Sequence, residues 1–434
     1  MKFVADLHIH SKYSRAVSRD MILEELDRWA AIKGILVMGT GDFTHPEWIK
    51  ELREKLEPAE PGLFRLKPSF KLPALCDNKA DTRFMLTSEI SCIYSRGGRG
   101  RRVHHLVFCP DIETVEKINT QLSWVGNLKS DGRPILGLDS EELAKIVFNT
   151  NAEAVIVPSH AWTPWFSIFG SMSGFDSIEE CFGKYTDRIF ALETGLSSDP
   201  AMNWRISKLD TIAFISNSDS HSLQRIGREA NVFDTELSYR GIIDAIKNSI
   251  PSLQQSASAP HKSAFVMTVE FFPEEGRYHF DGHRACEVFL SPEESRQYNN
   301  ICPKCGRPLT IGVLNRVAKL ADRSDDYRDP ARVPFKNLIP FDEIIAEAFG
   351  VGTASKKVKD AYRDLITKFG TELTILLEVS IDDLAKENPK VAEGVRRVRE
   401  GRVQIRPGYD GEYGKISIFE EQEKKEVSPQ KSLF

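Results

Sequence analysis

From residue 1 to about residue 255 the chain alternates short apolar runs with longer stretches whose apolar residues recur at helical spacing. The runs are Phe3-Val4-Ala5, Ile35 to Met38, Phe84-Met85-Leu86, Val103 to Phe108, Ala154 to Val157, Ile189 to Leu192 and Ile212 to Ile215. Between them, Met21 to Ala31 sets Ile22, Leu23, Leu26, Trp29 and Ala30 on one face and ends at Gly34. Glu141 to Phe148 and Tyr239 to Asn248 read in the same way. Strand and helix alternating like this predict a parallel sheet closed into a barrel, with its site at the carboxyl ends of the strands. A stretch rich in Ser, Ala and Gln, Pro251 to Pro260, predicts a linker. Farther on the pattern turns helical, at Ile311 to Leu320, Phe341 to Phe349, Ser355 to Phe369 and around Ile381 to Arg399.

With 434 residues, 41% of them hydrophobic, the chain can bury cores for two or three domains. Its net charge of -5 offers no overall basic surface, so any nucleic-acid contact must come from local clusters. The N-terminus has no charged segment leading into a long apolar one, and no run reaches bilayer length, which predicts a cytoplasmic protein without membrane contact. Seven cysteines, three of them late and clustered, fit a reduced protein with one metal site better than a disulfide framework.

Metal-ligating residue types gather where the apolar runs end. Asp6-Leu7-His8-Ile9-His10 closes the first run, and in extended backbone His8 and His10 share a face. Later runs end in Gly41-Asp42, Ser88-Glu89, His104-His105, Ser159-His160, Glu193 and Ser218-Asp219-Ser220-His221. Several cations held together there would polarise a phosphoryl oxygen and acidify a bound water, the chemistry of phosphoester hydrolysis, and Glu89 has two oxygens with which to bridge. Either member of the His104-His105 pair can be the inward one. Single residues also have plainer roles: Asp6 as a hydrogen-bond partner of a ligand, His45 as a loop residue beside Pro46, Glu193 as a rim carboxylate.

Other segments suggest a polymer. Arg96, Arg99, Arg101 and Arg102 surround glycines just before the histidine pair, as a phosphate clamp or a solvated hairpin tip. Trp162 and Trp165 follow His160 and offer stacking surface for a base, or core packing. Arg396, Arg397, Arg399 and Arg402 form a second basic patch or an ordinary helix face, and Gly350-Val351-Gly352 resembles a helix-hairpin-helix turn. His283-Arg-Ala-Cys286 and Cys302-Pro-Lys-Cys305 have the two-residue spacing of a closed Cys3His zinc site, which is structural because no position stays open; His279 competes with His283.

The ordered set from Asp6-Leu7-His8-Ile9-His10 to Asp219-Ser220-His221 resembles the polymerase and histidinol phosphatase (PHP) superfamily. That resemblance implies an α/β fold, a distorted (β/α)7 barrel holding up to three metal ions. Carried over, His8, His10, Glu89 and Asp219 hold one metal and carry catalysis, Glu89 bridges to a second held by His105 and His160, and Asp42 with His221 serve a third. His105 is favoured because the family pattern follows the ligand with two aliphatic residues. Asp42 stands where many members have histidine, and no histidine lies near Ala16.

The order of barrel, zinc knuckle and helical region further resembles the endonuclease Q family, as do Arg101-Arg102-Val103-His104-His105-Leu106, Ala161-Trp162-Thr163-Pro164-Trp165 and Gly227-Arg228-Glu229. This implies a nucleoid-associated DNA repair nuclease, a monomer cutting 5′ to deaminated bases (uracil, hypoxanthine, xanthine) or abasic sites with Mg, Mn or Zn, besides structural zinc. The expected division is a catalytic barrel over 1–255, a zinc module over 256–312, a helical DNA-binding domain over 313–415 and a tail over 416–434. In that tail Gln430, Leu433 and Phe434 resemble the motif that docks on the replicative sliding clamp. The alternatives are a small-molecule phosphatase of the histidinol phosphate type and a non-catalytic DNA-binding scaffold.

Overall fold

A computed structural model describes residues 1–74, 81–253, 264–420 and 423. Among them, the strands are β1 (Lys2–Asp6), β2 (Val37–Gly39), β3 (Leu56–Pro58), β4 (Phe64–Leu66), β5 (Arg83–Arg96), β6 (Arg99–Cys109), β7 (Ile135–Leu136), β8 (Val155–Pro158), β9 (Ala191–Glu193) and β10 (Ala213–Ile215). They are followed by β11 (Ala230–Asp234), β12 (Ala264–Glu270), β13 (Asp281–His283), β14 (Val288–Leu290), β15 (Phe335–Asn337), β16 (Gln404–Arg406) and β17 (Lys415–Ser417). The central sheet runs β15-β12-β11-β1-β2-β5-β4-β3, with β6 joining β5 to β8 and β7 also paired with β5.

This sheet is mixed, where the helical alternation predicts a parallel one. β1–β2 and β2–β5 are parallel, but β5–β6, β6–β8 and β1–β11 are antiparallel. The reason is local: a two-residue turn joins β5 to β6, and only a longer crossover could make the pair parallel. Gly97 and Gly98, at φ 61° and 71°, supply the left-handed backbone that such a turn needs. β9 and β10 form a separate parallel pair.

Alternation along the strands sorts side chains into two layers. Phe3, Ala5, Val37, Met85, Leu106, Phe108, Val157, Ala191, Ile215 and Phe233 meet in one buried cluster fed by both sheets. On the opposite faces, Met38, Phe84, Leu86, Val107 and Ile156 pack with helical residues such as Leu23, Leu26, Ala30, Ile118 and Val147. The helix Leu23–Lys33 ends at Gly34, at φ 88°, and Leu26 in its stripe is wholly buried. Burying such a leucine contributes about 1.5–3 kcal/mol.

β12 pairs with β11 and β15 pairs with β12, so the sheet continues through residues 264–337, beyond the expected boundary at 255. The last helical stretch is two helices, Ile381–Glu387 and Pro389–Arg399. Pro389 lacks the N–H needed to continue the first, and the Asn388 side chain caps the second by accepting from Val391 N at 3.0 Å. Lys33 Nζ lies 2.6 Å from Glu372 Oε2, both side chains almost wholly buried, and this pair joins the first helix to the C-terminal helices. Glu372 also accepts from Phe341 N and the Tyr362 hydroxyl. Among the described residues no helix is long and apolar enough to cross a membrane.

Candidate metal centre and nucleic-acid face

Two groups of donor atoms converge where the chain leaving β1, β8 and β10 meets the middles of β5 and β6. His8, His10, Glu89 and Asp219 form one, with their ligand atoms within 4.8 Å of one another; Glu89, His104 and His160 form the other. Glu89 belongs to both. Its Oε2 is 3.7 Å from His8 Nε2 and 3.4 Å from His10 Nε2, while its Oε1 is 3.1 Å from His104 Nδ1 and 3.0 Å from His160 Nε2. Asp219 Oδ1 completes the first group at 3.5 Å from His8 Nε2 and 3.1 Å from His10 Nε2.

The imidazoles are held from behind. His8 Nδ1–H donates to Glu193 at 3.0 Å and His10 Nδ1–H to Asp42 at 3.0 Å, which aims each Nε2 at the centre, where a bound cation would take the place of its proton. Glu193 is fixed in turn by Asn217 at 2.9 Å and the His160 amide at 2.9 Å, and Asp42 by Ser11 and Ser14. Metal-bound histidines use such carboxylate partners to set tautomer and orientation. His8 Nε2, His10 Nε2 and Asp219 Oδ1 are buried without hydrogen-bond partners. Orphaned polar atoms of this kind are costly to bury, and a divalent cation would satisfy all three. Histidine and carboxylate suit Zn, Mn or Fe, so the donor set fits a metal.

Charge in the cluster is balanced internally. Burial opposes ionisation of Glu89, but His104, Arg133 and His8 hold its carboxyl well below the usual range. Burial also opposes the charged forms of His8 and His10, yet the facing carboxylates hold both well above the usual imidazole range. Arg133 Nη1 reaches Glu89 Oε2 at 2.9 Å. Backbone strain marks the same place: Asp42, His160 and Asp219 have φ of 50°, 29° and 45°, each costing roughly 1–3 kcal/mol in a non-glycine residue. Asp6 ties the loop down by accepting from Ser218 N at 3.1 Å and Gly227 N at 2.9 Å, and burial pushes its carboxyl up to about 6.

Several expectations need correction. The inward member of the pair is His104, because β6 turns His104, Leu106 and Phe108 toward the inner cluster and His105 outward with Val103 and Val107. His105 meets Ser140 Oγ at 2.8 Å and packs on Phe182. Asp42 touches a ligand and lies outside both donor groups. His221 is also outside them, its ring 4.7 Å from that of His10 and its Nδ1–H donated to the Asp219 carbonyl. Among the described residues there are thus two groups around Glu89 and no third beside them. Trp162 is wholly buried, donating to Asn203 at 2.8 Å, so it cannot offer a face to a base. Arg96 is bound to Glu141, Asp139 and two carbonyls, and Arg101 lies over Phe175 at 4.1 Å. Arg99 and Arg102 remain exposed. Glu393, Glu423 and Glu400 pair with Arg396, Arg397 and Arg402, and Arg399 binds three carbonyls, so the second patch is an ordinary helix face.

Beside the centre opens a cavity of about 640 Å³ whose wall includes His104, His160, Asp219, Arg102, Arg133, Trp165, Phe166, Tyr278 and Tyr413. His279 lines it too, with Nδ1 buried and unpartnered, and burial lowers its pKa to about 4. His283, Cys286, Cys302 and Cys305 converge as a separate group, Cys305 Sγ lying 3.7 Å from His283 Nδ1. Only Val288, Cys302 and Leu309 form a core there, little to hold a module without help. Gln430, Leu433 and Phe434 lie outside the described residues. Arg133 was not legible from pattern, because it sits on a loop between apolar runs and reaches Glu89 only through the fold.

Residues 340–402 match the family described as the MJ0043 C-terminal domain. The uncharacterized protein MJ0043 of Methanocaldococcus jannaschii is 35% identical over 294 residues, 66% of this chain but 36% of that protein, so the chain spans about a third of it. The uncharacterized protein YqxK of Bacillus subtilis is 29% identical over 96% of this chain and 99% of its own length. Among solved structures, the lesion-specific endonuclease PfuEndoQ of Pyrococcus furiosus superposes with a TM-score of 0.82 at 32% identity, covering 97% of this chain and 96% of that one. The chain belongs to the endonuclease Q family. Endonuclease Q in complex with a 27-mer duplex carrying an abasic lesion at the active site matches as closely, with a TM-score of 0.81 at 32% identity over 98% of both chains. Family membership thus accounts for the mixed α/β fold, and both of these solved relatives are endonucleases.

Proposed function

We propose that this endonuclease Q relative is a metal-dependent DNA repair endonuclease that hydrolyses the phosphodiester 5′ to a deaminated base (uracil, hypoxanthine or xanthine) or an abasic site. The observation that carries the reading is Glu89, one carboxylate with an oxygen in each of two donor groups, at the edge of an aromatic and cationic cavity. His8, His10, Asp219 and Glu89 would hold one cation, and Glu89, His104 and His160 the other, in a distorted seven-stranded barrel. Bound there, the cations supply Lewis acidity and an acidified water. The chain's own groups do the rest. Glu193 and Asp42 keep the imidazole nitrogens aimed, and Arg133 stands where charge builds on the phosphoryl group. Arg102 and Arg99 are free to meet the DNA backbone.

An extruded nucleotide fits the neighbouring cavity. Trp165, Phe166 and Tyr278 offer stacking faces, and the unpartnered His279 Nδ1 is a polar atom that a base edge would satisfy. The Cys3His group holds a structural zinc, and the helical residues 313–415 add DNA-binding surface. The C-terminal Gln430, Leu433 and Phe434 dock on the sliding clamp; deleting 430–434 should remove clamp binding and leave nicking of a short duplex intact. The test of the function is to strip the protein of metal, restore Mg, Mn or Zn, and offer duplexes with one uracil, hypoxanthine or abasic site beside undamaged DNA and a small phosphomonoester. Nicking 5′ to the lesion alone supports the reading. Turnover of the phosphomonoester without nicking overturns it.

A further inference from the structure

We propose that a second cavity, between the tip of the β5–β6 hairpin and the helix Val313–Leu320, is a phosphate site that grips the backbone of the DNA duplex outside the lesion cavity. The source of that phosphate rests on the nuclease reading above; the site itself rests on charge and geometry. The cavity holds about 440 Å³, and its wall includes Arg99, Arg101, Ser171, Arg316 and Lys319, with the hairpin glycines Gly97 and Gly100.

The four cations face two carboxylates, Asp176 and Glu180, and both are engaged. Asp176 Oδ1 accepts from Arg316 Nη2 at 2.6 Å, and Glu180 Oε2 accepts from the Asp176 amide at 3.2 Å. Arg316 is spent as well, because it also donates to the Phe169 and Phe175 carbonyls at 2.9 and 2.8 Å. Arg99, Arg101 and Lys319 are left with charge to spare. Arg101 is held in place by donating Nη1 to the Gly174 carbonyl and by lying over the Phe175 ring at 4.1 Å, and its Nε is buried without a partner. Arg99 and Lys319 are exposed, and neither has a hydrogen bond or ion pair among the described residues. A planar guanidinium fork beside two free point charges in one polar concavity matches the oxygens of a phosphate, and it repels a cation and offers little to an apolar ligand.

The same segments wall both cavities. Arg101 and Arg102 are neighbours on β6, and Arg102 lines the lesion cavity while Arg101 lines this one. The loop after His160 passes the lesion cavity at Thr163 to Phe166 and this one from Gly170 to Asp176. Val313 borders the first, and Arg316 and Lys319, three and six residues farther along the same helix, border the second. At 1.5 Å per residue that is roughly 5–9 Å along the axis, which a DNA strand covers in about one to three nucleotides. A contact of this kind adds affinity and register, and it reads neither base nor lesion.

The test uses the full chain with two duplexes of one length, one bearing a single abasic site and one undamaged, and follows affinity as a function of salt. Lys319 bonds nothing within the protein, so Lys319→Ala should fold as the wild type does. It should weaken binding of both duplexes equally and make the slope of log affinity against log salt shallower by about 0.9, the value of one phosphate contact. Lys319→Arg should restore both. In a second arm, inorganic phosphate titrated calorimetrically into DNA-free protein should bind the wild type and lose that binding in Lys319→Glu. Phosphate binding lost in Lys319→Glu beside unchanged duplex slopes in Lys319→Ala keeps the site and gives it to a free anion. Unchanged slopes with unchanged phosphate binding overturn the site, as does a loss confined to the lesion duplex, since a backbone contact cannot tell the two duplexes apart. Slopes that depend on Lys319 in a protein that nicks neither duplex keep the site and sink the nuclease reading. Nicking by a protein whose duplex and phosphate binding both ignore Lys319 does the reverse.

Discussion

Exchanging the roles of two adjacent histidines tests the site most sharply. His105→Ala removes a wholly buried imidazole from the outer layer, where it meets Ser140 at 2.8 Å and Phe182 at a ring distance of 5.0 Å. The lost hydrogen bond costs about 1 kcal/mol, and an unfilled ring-sized cavity costs about 2–4 kcal/mol more by analogy with large-to-small core changes. A total near 3–5 kcal/mol lowers the melting temperature by roughly 6–20 °C for a unit of this size. Cleavage at low temperature should survive. His104→Ala has the opposite profile: its Nδ1 faces Glu89 Oε1 and His160 Nε2 at 3.1 and 3.3 Å, so it removes one of three donors. Metal affinity at that group should fall by more than the 10–100-fold that losing an outer hydrogen-bond partner costs. Thermal melts, metal titrations and cleavage of a single-lesion duplex read both variants. A His105→Ala enzyme inactive at a temperature where it is folded, beside an active His104→Ala enzyme, would refute the assignment.

Asp219→Ala should abolish cleavage while leaving the fold and duplex binding largely intact, checked by gel-shift and nicking assays; cleavage retained at saturating metal counts against it. Cys302→Ser should lower zinc content by about one ion per chain, measured by atomic emission, and destabilise residues near β13 and β14. Glu372→Ala leaves Lys33 buried and unpaired, and urea unfolding should show a loss of about 3–5 kcal/mol, much of it recovered by Lys33→Met in the same chain. Burial pushes the Glu270 carboxyl up to about 8, against hydroxyl donors from Thr194 and Ser216. Its folded state holds the proton, so that stability is whole below the unfolded value near 4.3 and is lost as pH rises through 8, at no more than about 1.4 kcal/mol per pH unit. Urea unfolding of Glu270→Gln between pH 5 and 8 should show a flatter profile than wild type.

What the chain discloses by pattern is the alternation of strand and helix and the residue types at run ends, since period and ligand chemistry are local properties. Helix Tyr239–Asn248 lies where its apolar spacing puts it. Strand direction is not local: β5 and β6 are antiparallel because Gly97-Gly98 closes a tight turn inside what reads as a glycine-rich clamp. Which of His104 and His105 faces inward depends on the phase of one strand, and a single-residue slip reverses it. Trp162 and Trp165 are alike as letters, yet one is sealed against Asn203 and the other lines the cavity. Asp42 has the right chemistry for a ligand, and only coordinates reveal that both its oxygens are taken by His10, Ser11 and Ser14.

The central claim is that two cations share Glu89 and act on one phosphodiester. Anomalous diffraction from crystals of the Mn-loaded enzyme with a single-lesion duplex tests it directly. The account expects two metal peaks about 3.5–4 Å apart, one beside Asp219 and one beside His104, with the phosphate on the 5′ side of the lesion touching both. A single ion away from Glu89, or a phosphate bound at the far side of the sheet, would contradict it.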